Sequence, residues 1–280
     1  MTSAPDRSGA STPLRIALFG ASGRMGGAVA RTIAEQGGAV RLTGACVSRE
    51  SHALGKSLGE LFALPSEAGG QVVTVNEPAD ALADADVAID FSLPAATPAY
   101  ATACARARCA LVSGVTGLDA AAEAALESAA EEIPVLHGRN MSLGVNLLAL
   151  ALRTVAAHLP AAAYDAEIHE WHHRGKRDAP SGTALMLGEA IAATRGDELA
   201  MQPDRAGLRE VGTIGVAVNR GGDVAGEHTV TFAGDGERLE FTHRAGGREG
   251  FARGAVLAAR WLVDRAPGRY QMSDVLSLER

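Results

Sequence analysis

The chain has 280 residues, 47% hydrophobic and 21% charged, a balance that suits a globular protein with a sizeable core and room for two domains. With 33 acidic against 26 basic residues the net charge is −7, which excludes an overall basic field for nucleic acid or anionic membrane. No apolar run reaches the roughly 18–20 residues a membrane-spanning helix needs, and Cys46, Cys104 and Cys109 make neither a C-x-x-C pair nor a disulfide framework, so a cytoplasmic protein with no membrane residence is expected.

Residues 1–13, rich in Ser, Ala, Thr and Pro, lack the apolar core of a secretory signal and read as a disordered tail. Leu14 to Phe19 reads as a buried strand. Met25, Ala28, Val29, Thr32 and Ile33 then fall at helical spacing, closed by Gly37-Gly38. Val40–Val47, Val72–Val75, Val87–Phe91, Ala110–Ser113 and Ile133–His137 repeat the apolar-run signal. Ala-rich helical segments lie between the later ones, such as Asp119 to Glu131 with Asp119 as its N-cap. Strands alternating with helices predict right-handed βαβ units and a Rossmann-like, doubly wound parallel sheet over a dinucleotide-binding domain, 14–141.

The pattern changes after that. Ser142 to Leu159 reads as one long helix stopped at Pro160, Tyr164–Ile168 as a strand, and Ser181 to about Thr194 as a helix. Val211–Asn219, Glu227–Ala233 and Arg238–His243 are strand-like runs punctuated by Gly-rich turns. This predicts a second α+β domain with an open mixed sheet over 142–250. Phe251–Val263 is an apolar helix, and 251–280 is expected to return to the first domain.

Gly20-Ala21-Ser22-Gly23-Arg24-Met25-Gly26 lies between strand and helix as a G-x-x-G-x-x-G variant of the dinucleotide fingerprint, where bare backbone N–H groups at a helix start can meet a pyrophosphate. The second strand ends at Val47-Ser48-Arg49. An Arg there suits a 2′-phosphate and Arg24 adds a second cation, so NADPH is expected in preference to NADH; Glu50 leaves NADH possible.

The densest chemistry runs from Glu167 to Ala184. His169-Glu170-Trp171-His172-His173 matches H-E-x-x-H, which in a zinc hydrolase requires a helix; here a strand-like run precedes it and Gly175 and Pro180 follow closely. The other reading is an anion site with no metal. Pro180 sets up a helix start, and Ser181-Gly182-Thr183 supplies hydroxyls and bare N–H groups for a carboxylate. Lys176 adds positive charge, and His172 and His173 are proton donors near neutral pH. A non-catalytic nicotinamide-sensing protein would need the first domain but not this cluster.

The run His172-His173-Arg174-Gly175-Lys176-Arg177-Asp178-Ala179-Pro180-Ser181-Gly182-Thr183-Ala184-Leu185 resembles the signature of the dihydrodipicolinate (4-hydroxy-tetrahydrodipicolinate) reductases of lysine and diaminopimelate biosynthesis. The similarity includes Gly20–Gly26, Asp90-Phe91-Ser92, Gly114-Val115-Thr116-Gly117, Asn140–Asn146 and Gly226-Glu227-His228-Thr229. The resemblance implies NAD(P)H-dependent reduction of a cyclic imine dicarboxylate, with a proton added. It implies His172 as general acid and Lys176 as second catalytic residue, with His173, Lys176, Ser181, Gly182 and Thr183 on the substrate carboxylates. It also implies that Gly114, Val115 and Thr116 lie near the nicotinamide, and that Asn140, Met141 and Ser142 make a hinge-side cofactor contact. A homotetramer assembled through the second domain's sheet is implied too. Two departures stand out: Ser48 replaces an acidic residue of many members, and Leu93 stands where some have Arg.

Overall fold

The computed structural model describes residues 12–196 and 207–276; most of the expected 1–13 tail lies outside the described residues. Two compact units divide the chain. The first takes the chain up to Gly138 together with the segment from Ala252 onward, and the second spans Arg139–Phe251.

In the first unit, strands β1 (Leu14–Phe19), β2 (Val40–Cys46), β3 (Val87–Asp90), β4 (Ala110–Ser113), β5 (Pro134–His137) and β10 (Gly268–Tyr270) form one sheet in the order β10-β5-β4-β3-β1-β2. Every pairing in it is parallel. The helices are α1 (Arg24–Ala34), α2 (Leu58–Phe62), α3 (Pro78–Leu82), α4 (Thr97–Ala107), α5 (Ala120–Ala130), α8 (Glu249–Leu262) and α9 (Met272–Val275). Parallel strands need crossovers, and their near-continuous apolar runs reflect burial on both faces. Ala17, Phe19, Ala88, Leu111 and Val135 pack beneath Tyr100, Cys104 and Leu126 from α4 and α5. The expected cap of α5 is present: Asp119 accepts from the Ala122 N–H at 2.8 Å. Strand order reverses at β1, between β2 and β3, and that switch point puts the loop after β1 where doubly wound sheets bind ligands.

Val72–Val75 is extended but is not a strand. It meets β2 at Cys46 and the loop at Ser57 in single bridges on opposite sides, so no ladder builds on either. The three cysteines are free and buried. Among the described residues no helix is long and apolar enough to cross a membrane.

In the second unit, α6 (Leu143–Ala156) is capped by Ser142 and α7 (Gly182–Arg195) by Ser181. The sheet runs β7-β6-β8-β9, with β6 Tyr164–His172, β7 Ile214–Arg220, β8 Glu227–Gly234 and β9 Glu237–Arg244. β6 pairs parallel to β7 and antiparallel to β8, which makes the sheet mixed. One face is closed: Ala166, Ile168, Ile214, Val230 and Phe232 pack against Leu152 and Ala156 of α6 and Leu187 and Ile191 of α7. The opposite face carries His169 and Trp171, both exposed. β6 runs four residues beyond the expected Ile168 because β7 and β8 flank it almost to its end, where His172 faces Arg220.

Candidate active site

Side chains alternate across a strand, so Ala166, Ile168, Glu170 and His172 form one row on the helix-covered face of β6. The first two belong to the apolar core. The next two are polar, and both are buried. Register places Arg220 of β7 beside His172, and His228 of β8 beside Glu170. His243 of β9 lies opposite His228 in the same row. Glu170 is fully buried, a placement that costs several kcal/mol unless the charge is paired and bonded. It is both. The Ser181 N–H donates to Oε1 and Oε2 at 3.1 Å, and Arg220 Nη2 donates to Oε1 at 3.0 Å. His172 Nδ1 and His228 Nε2 each lie 3.6 Å from Oε2.

Burial raises the Glu170 pKa, but the bonds to His228, Ser181 and Arg220 outweigh it and hold the carboxyl at about 2. His172 moves down to about 4. Burial is the chief cause, and His228, Lys176 and Arg220 push the same way against the pull of Glu170.

α7 starts beside this cluster. Ser181 Oγ accepts from the Ala184 N–H and pairs with His228 Nε2, both at 3.1 Å. Gly182 and Thr183 thus begin a helix whose N-terminal N–H groups favour an anion. A Cβ on Gly182 would meet nothing within 4 Å, so the turn is open where a carboxylate would approach. Thr183 Oγ1 accepts from Asn140 Nδ2 at 2.9 Å. Lys176 Nζ binds the Asp178 carboxylate at 2.8 and 2.9 Å, and His173 is half-buried in the same turn. His172, Lys176, Ser181, Gly182 and Thr183 therefore share one unit.

H-E-x-x-H geometry is absent. His169 and His173 are not ligands one helical turn apart: His169 sits on the exposed face of β6 and pairs with Asn219 Nδ2 at 3.0 Å. A different trio, Glu170, His172 and His228, brings one ligand atom each within 4.8 Å. The Arg220 guanidinium on the same carboxylate opposes a cation there.

In the first unit the loop after β1 is built for close backbone approach. Gly20 has φ +71, and a Cβ on it would lie 2.7 Å from the Phe91 carbonyl oxygen. One on Gly26 would lie 2.5 Å from the carbonyl oxygens of both Gly20 and Ala21. Gly23 caps α1 with no side-chain bond and no acidic residue in the first turn. Ser22, Gly23 and Arg24 are exposed and Met25 is half-buried. An uncapped helix start with small residues and a nearby cation fits a dinucleotide pyrophosphate. Arg49 at the end of β2 is exposed, and its Nη2 binds Glu77 at 2.7 Å. A Cβ on Gly114 would stand 2.2 Å from Phe91 Cε1, so the Phe91 ring lies directly over that glycine. Val115 is buried, its carbonyl held at 2.9 Å by His137 Nε2, while Thr116 is exposed.

Asn140, Met141 and Ser142 are buried within the second unit. Asn140 Oδ1 accepts from the Ser142 N–H at 2.8 Å, and Ser142 Oγ pairs with His243 Nε2 at 3.4 Å.

Comparison with known proteins gives the family. The dihydrodipicolinate reductase N-terminal domain description matches residues 14–141, and the C-terminal one matches 144–276. The chain belongs to the dihydrodipicolinate reductase family. A 4-hydroxy-tetrahydrodipicolinate reductase from Rhodopseudomonas palustris is 46% identical over 270 residues, covering 95% of this chain and 98% of the relative. One from Ruegeria pomeroyi is 48% identical over 269 residues, with 94% and 98% covered. A solved dihydrodipicolinate reductase from Paenisporosarcina sp. TG-14, with dipicolinate bound, shares the fold at a TM-score of 0.74 and 22% identity over 92% of this chain and 97% of that one. Membership in the dihydrodipicolinate reductases makes the protein a nicotinamide-dependent oxidoreductase.

Glu170, Arg220, His228 and His137 were not singled out as site residues by sequence alone. For Glu170 the signal was the alternation of β6, which continues past Ile168 in polar form; Arg220 and His228 come in only through strand register.

Proposed function

We propose that the protein reduces the cyclic imine dicarboxylate derived from 4-hydroxy-tetrahydrodipicolinate to tetrahydrodipicolinate, with NADPH preferred and NADH accepted. The observation that carries this reading is a buried proton-handling cluster, Glu170, His172 and His228, placed against the anion-binding start of α7. The first unit serves as the dinucleotide-binding domain. The second, with its open sheet face, serves for substrate binding and homotetramer assembly.

The reduced nicotinamide, when bound, supplies a hydride to the unsaturated substrate ring. Gly20, Ser22, Gly23, Arg24, Met25 and Gly26 would hold its pyrophosphate and Gly114, Val115 and Thr116 its nicotinamide end, with Asn140, Met141 and Ser142 as further cofactor-binding residues. Arg49 and Arg24 would hold the 2′-phosphate of NADPH, for which Arg49 would leave Glu77. Lys176, His173 and the N–H and hydroxyl groups of Ser181, Gly182 and Thr183 receive the two carboxylates. Lys176 then shares its charge between Asp178 and substrate. His172 delivers the proton. Its pKa of about 4 leaves it neutral at pH 7 in the free protein, but an arriving dianion favours the imidazolium and arms the acid where it is needed. A cytoplasmic location fits this chemistry and the free, buried thiols.

The test is loss of reduced-nicotinamide absorbance with freshly generated substrate, NADPH and NADH in parallel. Substrate-dependent oxidation, faster with NADPH, is the expected result. Oxidation of neither by folded protein overturns the reading.

A further inference from the structure

Glu170 touches neither substrate nor cofactor in the roles just assigned, yet Ser181, Arg220, His172 and His228 all converge on its carboxylate. Its Oε1 is occupied by Arg220, while Ser181 bonds both oxygens and Oε2 is left turned toward two imidazoles. The His172 and His228 rings meet edge to face with centroids 5.1 Å apart. His172 Nδ1 is buried and has no hydrogen-bond partner, so the acceptor it faces is Glu170 Oε2, 3.6 Å away. That separation exceeds a formed hydrogen bond and is short enough for a small ring motion to close it.

The other ring nitrogen is kept clear. Residue 226 is glycine, and a Cβ there would stand 3.0 Å from His172 Nε2. One nitrogen of the imidazole thus faces a buried carboxylate and the other faces backbone with no side chain.

We infer that Glu170 is a positioning residue for the reaction: its carboxylate holds the neutral His172 with its proton on Nδ1 and stabilises the imidazolium that donates from Nε2, while its bond to the Ser181 N–H fixes the start of α7. This rests on the reading of His172 as the general acid. One buried carboxylate thereby registers the proton donor against the turn that holds the substrate's charge.

The charges around His172 support the assignment. Facing it are Glu170 from its own strand, His228 from β8, Lys176 from the following turn and Arg220 from β7, with His243 of β9 behind His228. Glu170 is the one negative group among them, and the only one that raises the His172 pKa. Removing its charge leaves the cations and burial unopposed. Arg220 has a second anchor, the Asp178 carbonyl at 2.6 Å, so it neutralises Glu170 without being free to swing toward His172.

Two measurements test this. In full-length wild-type protein with 15N-labelled histidine, the His172 resonances should report a neutral ring protonated at Nδ1. A ring protonated at Nε2 with bare Nδ1 overturns the proposal, whatever the variants do. The second compares Glu170→Gln with Glu170→Asp. Glu170→Gln should lower kcat on the order of a hundredfold and move the alkaline fall of kcat to lower pH by about one unit, with KM for NADPH unchanged. Glu170→Asp should restore most of the rate. Wild-type kcat and pH profile in Glu170→Gln, or a loss with no profile shift and no rescue by Asp, overturns it as a merely structural role. If Glu170→Gln fails to fold, the wild-type tautomer decides. If wild-type protein turns over no substrate, the proposed function fails while the tautomer still decides whether the carboxylate governs the ring.

Discussion

His172 is a buried histidine with one carboxylate and three basic groups around it, and the balance of those charges sets two expectations. As general acid it contributes about 10²–10⁴ in rate. His172→Gln should therefore cut kcat by that order while NADPH affinity, measured by fluorescence titration, stays at the wild-type value. Its lowered pKa also bears on stability. A histidine held at about 4 against an ordinary 6.5 contributes fully above pH 6.5 and loses that contribution as pH falls toward 4. Glu170, held at about 2, adds a further loss below the usual carboxylate range. The thermal midpoint should fall between pH 6.5 and 4, and His172→Gln should flatten that stretch of the curve. Equal slopes in the two proteins would show that other groups carry the acid sensitivity.

At the scale of the element, the start of α1 makes the sharper demand. A Cβ on Gly26 would overlap two carbonyl oxygens at 2.5 Å, and backbone cannot rotate away as a side chain can. Gly26→Ala should cost about 1–3 kcal/mol in the midpoint of denaturation and weaken NADPH at least about tenfold. The end of β2 is a test of preference rather than fold. Arg49→Ala should lower the ratio of NADPH to NADH efficiency by about tenfold, the worth of one charge-assisted bond, and Glu77→Gln, which frees the guanidinium, should raise it. An unchanged ratio in both would remove Arg49 from the 2′-phosphate.

What the sequence made legible divides along the same line. β1 and β4 could be read residue by residue because a parallel strand buried on both faces is a nearly continuous apolar run, broken in β1 only by Arg15 near its start, with turn signals at its ends. β6 could be read only as far as Ile168. Beyond it the buried row becomes Glu170 and His172, which any hydropathy pattern counts as exposed, though their burial is the substance of the site. β10 was illegible for another reason: three residues around Arg269 carry no periodicity, and the neighbouring β5 creates the strand. The His172–Leu185 run was conspicuous because it is dense in ionisable groups. Arg220 and His228 were not, because register rather than sequence distance brings them in.

At the scale of the whole molecule, the second unit closes one face of its sheet and leaves the other to His169, Trp171 and the outward row of β8 and β9. Trp171 is 41% exposed on this face, near the end of β6. If the face joins subunits, the wild-type protein should sediment as four chains and Trp171→Glu as fewer, with the first unit's NADPH affinity retained. Wild-type protein that sediments as a single chain would exclude assembly through it.

The first unit is not continuous in sequence: α8, β10 and α9 reach it only after the chain has passed through Arg139–Phe251. During synthesis the N-terminal half emerges with β5 as a bare sheet edge, and its missing strand follows more than a hundred residues later. The half that is made first is thus the one finished last. Until then its unpaired edge can recruit another nascent chain. A stop codon near the end of the message would accordingly damage the first unit while leaving the second unit's residues fully translated.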